Sequence, residues 1–214
     1  MRGSEVAMIF LIFLSFAVSI YFYPQFPERV ASHWNAKGEV NGYLPKFWGI
    51  FLLPLTSMGL FLLFLAIPRV DPLRKNIEKF RKHYDRFILI MMVFFLYIQI
   101  LIISSNIGIQ YNMSQAILPA IAVLFYYAGV LIENARQNWF VGIRTPWTLS
   151  SERVWNKTHE RGSKLFKILA LAVLFSMFFP GYMLLIILVP VFVVAGYLIV
   201  YSYIEYRKEN EATS

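Results

Sequence analysis

Six long apolar runs, at about residues 6–23, 47–67, 87–104, 116–132, 165–179 and 182–204, constrain this chain more than any other feature. About twenty consecutive apolar residues make a helix long enough to cross a hydrocarbon core. A soluble domain of 214 residues has no interior large enough to hide so many. With 58% of residues hydrophobic and only 15% charged, lipid is the solvent that fits. The reading is an all-α integral membrane protein of the cell membrane, with six transmembrane helices in one domain spanning 1–214. Its first half, 5–115, is built around an outer-loop motif at 24–46. Its second half, 116–206, is built around an inner motif at 142–159. The fifth run is the shortest. The first run is read as a retained helix, because the bulky Tyr21-Phe22-Tyr23-Pro24 follows it where a signal peptide would carry small residues.

The net charge of +8 acquires meaning from its distribution. The second loop carries seven cations from Arg69 to Arg86 and the fourth carries six from Arg136 to Lys164. The third and fifth carry none, and Arg207 and Lys208 close the chain. Alternate loops share a side, so the positive-inside rule places both termini and loops two and four in the cytoplasm. The basic balance is thus a topology signal and an attraction to anionic lipid headgroups, with no direct nucleic-acid role.

Loop one is predicted to be an ordered outer loop. Pro24 and Pro27 end the first helix, 30–35 has extended character, and Lys37-Gly38 and Asn41-Gly42 are turn dipeptides, which together suggest a short hairpin. In loop two, Leu73, Ile77, Phe80 and Tyr84 fall on one helical face, and Glu78 and Lys82 are spaced as an i,i+4 pair. Either an amphipathic helix on the inner membrane surface or a solvated linker fits this pattern. Pro190 lies well inside the last run, where it frees a carbonyl.

The densest polar segment runs from Gly142 through Ile143, Arg144, Thr145, Pro146, Trp147, Thr148 and Leu149 to Trp155 and His159. Gly142 permits a sharp exit from helix four, Thr145 before Pro146 is extended, and Ser150 is placed to N-cap the next helix, with Glu152 in its first turn. The forked guanidinium of Arg144 suits a carboxylate, a phosphate or several carbonyls. Two readings stay open: a site for a ligand, headgroup or partner at the inner interface, or a loop lock with Trp147 and Trp155 anchored in the interface.

The run from Gly142 to Leu149, followed by Glu152 and Trp155, resembles the motif of the SdpI-type immunity proteins. The first-loop pattern of Pro27, His33-Trp34-Asn35, Gly38 and Asn41-Gly42-Tyr43 resembles the domain of unknown function that precedes that motif in many members. With the six-helix layout, the resemblance covers nearly the whole chain. It implies a multipass signalling protein that protects its producer against a secreted membrane-active toxin peptide and, in some members, sequesters a cytoplasmic repressor. On that reading His33, Trp34, Asn35, Gly38, Asn41, Gly42 and Tyr43 meet the toxin or shape its access. Gly142, Arg144, Thr145, Pro146, Trp147, Glu152 and Trp155 stabilise the receiving state or contact the cytoplasmic partner.

Two other classes have less support. A membrane-embedded metal-dependent enzyme would use His33 and Glu39 of the outer loop, but paired-histidine spacing is missing and there are no cysteines. No cofactor is expected. His33 reads as an interfacial hydrogen-bonding residue and His159, beside Glu160, as part of a solvated helix face. A small-molecule or lipid transporter would carry ionisable groups at membrane depth, whereas only Gln99 stands near a helix middle. Glu133, at a helix end, is placed to pair with Arg136 or Arg144.

Overall fold

The computed structural model describes residues 2–212 and is mostly helical. The terminal residues 1, 213 and 214 of the predicted domain lie outside the described residues. The chain forms α1 (Gly3–Phe22), a hairpin of β1 (Arg29–Trp34) and β2 (Val40–Pro45), then α2 (Lys46–Val70) and a short α3 (Arg74–Lys79). It continues through α4 (Arg81–Asn106), α5 (Met113–Asn134), the single-turn α6 (Pro146–Ser150), α7 (Glu152–Phe175) and α8 (Met183–Glu211). Five of these helices, α1, α2, α4, α5 and α8, are long and apolar enough to cross a membrane. The protein is a multipass membrane protein. The fifth apolar run forms only the C-terminal half of α7, whose N-terminal half is charged on its outer face, and α7 is not among those five.

Proline does not break these helices where lipid and neighbours support them. α2 runs through Pro54 and past Pro68 to Val70, α5 contains Pro119, and α8 contains Pro190. Phe10, Phe13, Leu62, Leu171, Phe192 and Val193 project outward, as apolar side chains do when the surrounding solvent is lipid.

α1, α2 and α4 pack together, α5 packs on α4, and α7 sits between α5 and α8. Small residues permit the tightest approach: a Cβ on Gly129 of α5 would stand 3.0 Å from the Ser163 carbonyl of α7. Polar groups at membrane depth tie the first three helices. The Gln99 amide donates to the Ser15 carbonyl at 2.9 Å and to the Ser19 hydroxyl at 2.7 Å. The Ser15 hydroxyl donates back to Gln99, and the Ser19 hydroxyl donates to the Ile50 carbonyl at 3.0 Å. Gln99 is therefore a satisfied helix-packing residue.

The connections gather at two opposite ends. At the hairpin end, Asn106 at the close of α4 exchanges two hydrogen bonds with the backbone of Ala31, at 2.9 and 3.0 Å, as a neighbouring strand would. Asn112 and Ser114, entering α5, bond the carbonyls of Lys37 and Asn35. Val30 is fully buried and packs with Phe26, Ile50 and Ile103.

The other end overturns the surface-helix expectation for loop two. α3 has six residues, the helix breaks at Phe80, and Ile77, Phe80 and Tyr84 are buried with Leu131, Ala135 and Trp155. The apolar face belongs to the protein core, because the loop folds under the α5–α7 connection instead of lying on lipid. Glu78 and Lys82 consequently fall on separate helices.

Candidate functional site

The segment 135–151 is a compact lock built from backbone-seeking side chains. Asn138 is fully buried and uses its whole amide. Its nitrogen donates to the carbonyls of Arg136 and Val141, at 2.8 and 2.9 Å, and its oxygen accepts from the amides of Phe140 and Val141, at 2.9 and 2.6 Å. Two donors and two acceptors are the full capacity of an asparagine side chain. Gln137 donates to the carbonyls of Thr148 and Leu149, closing the loop onto α6. From loop two, the buried carboxylate of Asp71 accepts from the Trp139 amide at 2.9 Å, and Asn76 donates to the Gln137 carbonyl.

α6 begins in a reciprocal cap. The Thr145 amide donates to the Thr148 hydroxyl at 2.9 Å and the Thr148 amide donates to the Thr145 hydroxyl at 3.2 Å, with Pro146 at the first helical position. Thr145 also meets the Ser202 hydroxyl of α8 at 3.0 Å, and the Trp147 ring lies 5.1 Å from that of Tyr203. The expected Ser150 cap is displaced by one position. Ser151 N-caps α7 and donates to Glu209 at 2.5 Å, while Ser150 donates to the Pro146 carbonyl within α6. A separate single-turn helix leaves only Ser151 extended before Glu152, and an N-cap needs that extended backbone.

Trp155 and His159 form the floor. Trp155 is fully buried and its indole donates to the Ala135 carbonyl at 2.9 Å, so it is a core anchor and not an interfacial one. His159 is buried as well, correcting its placement on a solvated face: the fold lays the loop over this side of α7. Its ring stacks on Trp155 with centroids 3.9 Å apart, and its Nδ1 lies 2.8 Å from the Trp155 carbonyl. Because a carbonyl only accepts, Nδ1 carries the proton, and Nε2 accepts the Ile143 amide at 3.0 Å. The ring is held neutral, and burial pushes its pKa down to about 4 against the opposing pull of the Trp155 carbonyl. Gly142 makes the contact with this floor. Its φ is +122°, and a Cβ there would stand 2.3 Å from His159 Nε2.

Arg144 is exposed and donates to the Trp139 carbonyl at 2.5 Å. Trp139 and Phe140 are also exposed, so this segment presents a cation and two aromatic rings. Glu152 is exposed in the first turn of α7. Glu133 pairs with Lys167 of α7 at 2.6 Å, not with Arg136 or Arg144.

The hairpin is the second ordered element. Arg29 pairs with Pro45, Ala31 with Tyr43 and Trp34 with Val40, with irregular register around His33. Asn35 closes the turn: its side-chain oxygen accepts the amides of Lys37 and Glu39, and its nitrogen donates to the Glu39 carboxylate at 2.8 Å. Gly38 adopts φ +83°, and a Cβ on it would meet Asn112 at 2.6 Å. A Cβ on Gly42 would meet that of His33 at 2.8 Å. His33 Nδ1 bonds the Asn41 side chain at 2.5 Å, and Arg29 lies over the exposed Tyr43 ring. Trp34 is half-buried. His33 and Glu39 thus engage different partners, and among the described residues no group of three or more His, Asp or Glu side chains forms that could hold a metal.

The structure therefore divides the predicted residues between two separate ends. It also adds Asn138, Gln137, Asp71 and Ser202 to the lock. Of these only Asn138 left a local signal, as an Asx residue two places before an aromatic amide in a loop. The other three act across the tertiary fold.

Two known patterns coincide with these ends. A family model described as the SdpI/YfhL protein family matches residues 134–202, and one described as a domain of unknown function (DUF1648) matches residues 10–58. Over 207 residues the chain is 27% identical to the Immunity protein SdpI of Bacillus subtilis (strain 168), covering 96% of this chain and 97% of that protein. The chain is similar to the SdpI/YfhL family over 134–202 and to an SdpI immunity protein along nearly its whole length. No solved structure matches it significantly. The first match spans the 135–151 segment and its floor, from the end of α5 to Ser202, the partner of Thr145 on α8. The second spans the hairpin and the adjoining parts of α1 and α2.

Proposed function

We propose that this protein is an immunity protein that spans the cell membrane six times with both termini inside, and that protects the cell against a secreted membrane-active peptide. The observation that carries this reading is similarity to an immunity protein along essentially the full length of both chains. The ordered hairpin would face outward and meet the peptide or shape its approach through Trp34, Tyr43 and the His33–Asn41 pair. The lock would face the cytoplasm, where the exposed Arg144, Trp139 and Phe140 offer a protein partner, such as a repressor, both a charge and an aromatic surface. Rigid loops support this reading, because a receptor end held in one conformation loses less entropy on binding.

Sidedness is open to a direct check, since the chain has no native cysteine. A single cysteine at Lys37 is expected to react with an impermeant maleimide on intact cells, and one at Lys75 only after lysis. The reverse pattern would sink the proposed topology. Function is tested by expressing the protein in a peptide-sensitive host. Wild type is expected to restore growth under challenge. Arg144→Ala, whose side chain is exposed and makes one backbone hydrogen bond, should change stability by no more than about 1 kcal/mol yet abolish protection or partner recruitment. Wild-type protection by a fully inserted Arg144→Ala would remove the role given to the lock, and failure of wild type to protect at normal abundance would remove the immunity reading.

A further inference from the structure

Between α7 and α8, at the end where the lock lies, is a cleft of about 230 Å³ lined by Lys157, Glu160, Arg161, Lys164 and Tyr201. We propose that this cleft binds an anionic phosphoryl group. Lys157, Arg161 and Lys164 follow helical spacing, one turn apart on one face of α7. Their charges are incompletely balanced. Lys157 and Lys208 share the carboxylate of Glu205, at 2.5 and 3.3 Å, and Lys164 pairs with Glu160 at 2.8 Å. Arg161 faces the ring of Tyr201, 5.6 Å from its centroid, and feels the Glu160 charge without forming a close ion pair among the described residues. Four cations thus surround two carboxylates, and the guanidinium fork keeps the donor geometry that a phosphate oxygen pair requires.

The height of the cleft favours a membrane lipid as the source of that group. Ile168, seven residues along α7 and therefore about 10 Å deeper, is already exposed to lipid, as are Ile199 and Val200 on α8. Tyr201 and Tyr203 mark the interfacial aromatic level on α8, and Arg207 and Lys208 follow beyond it. A phosphate in the cleft lies where headgroups lie. Farther along the same pair of helices, an apolar groove of about 580 Å³ lined by Ala172, Phe175, Leu185, Ile186, Val189 and Pro190 has room for acyl chain.

The test is a titration of detergent-purified protein, read by its thermal midpoint, with phosphatidylglycerol, phosphatidylcholine and inorganic phosphate as separate probes. Phosphatidylglycerol is expected to raise the midpoint of wild type and phosphatidylcholine to leave it unchanged. Arg161→Gln should weaken the response about tenfold, the size of one lost charge-assisted bond. Lys164→Gln, at a largely exposed position where folding is not at risk, should weaken it less. Lys75→Gln in loop two should not weaken it. Inorganic phosphate that stabilises wild type as well as the lipid does would assign the site to a free phosphate. If neither probe moves wild type, or both α7 variants respond as wild type does, no phosphoryl site exists here.

Discussion

Replacing Gly142 by alanine is expected to destabilise the protein by about 3 kcal/mol and to unlock the 135–151 segment. Two independent penalties produce this. At φ +122° an L side chain is strained whatever space surrounds it, which costs on the order of 1–3 kcal/mol. The added Cβ would also stand 2.3 Å from His159 Nε2 and 3.1 Å from the Trp155 ring, so the imidazole must move off its stacked position. Moving it breaks the bond from the Ile143 amide and leaves a buried donor unpaired, worth about 1–3 kcal/mol. For a chain of this size about 3 kcal/mol lowers the thermal midpoint by roughly 6–12 °C. Gly181 is the matched control, because a Cβ there meets nothing within 4 Å and its φ is ordinary. A Gly142→Ala protein that melts with wild type and Gly181→Ala would show that the lock does not depend on this contact.

Acidification is expected to loosen the same lock through His159. Burial holds its folded pKa at about 4, below the ordinary histidine value of 6.5. The unfolded chain therefore binds the proton more readily than the folded one. Stability contributed by the neutral ring is fully present above pH 6.5 and is lost as pH falls from about 6.5 to about 4. The full loss is about 3 kcal/mol, at roughly 1.4 kcal/mol per pH unit of difference. Structurally, a second ring proton would sit on Nε2 and oppose the Ile143 amide that now donates to it. The measurement compares unfolding free energies of wild type and His159→Gln from pH 7 to pH 5. The variant should be less stable at pH 7 but show a shallower pH slope. Equal slopes would mean that other groups govern the acid response.

Much of this architecture was readable locally. Five of the six apolar runs became helices long and apolar enough to cross a membrane, because a bilayer imposes one length on each, while the fifth run makes up only part of α7. Lys37-Gly38 marked a turn, because positive φ is a local requirement, and a hairpin turns there; Asn41-Gly42, read as a second turn, lies inside β2, where Gly42 keeps ordinary φ. The lock was visible as a composition anomaly, but its internal order was not. Periodicity put Ile77, Phe80 and Tyr84 on one face, yet it cannot distinguish lipid from protein as the apolar medium that covers that face. His159 illustrates the same limit: beside Glu160 in a charged stretch it looked solvated, and only the loop folding back over α7 buries it.

The sequence by itself determined that this chain lives in a membrane, where its polar segments fall, and which loops gather the positive charge. Those properties are set by burial length, turn chemistry and charge, and each acts over a few residues. Only the tertiary structure decided that loops two and four form one end through Asp71 and Asn76, and that Asn138 and His159 hold the lock. It alone showed that Gln99 joins three helices instead of lining a path. Buried polar groups must find partners, and in a folded chain those partners come from segments far apart in sequence.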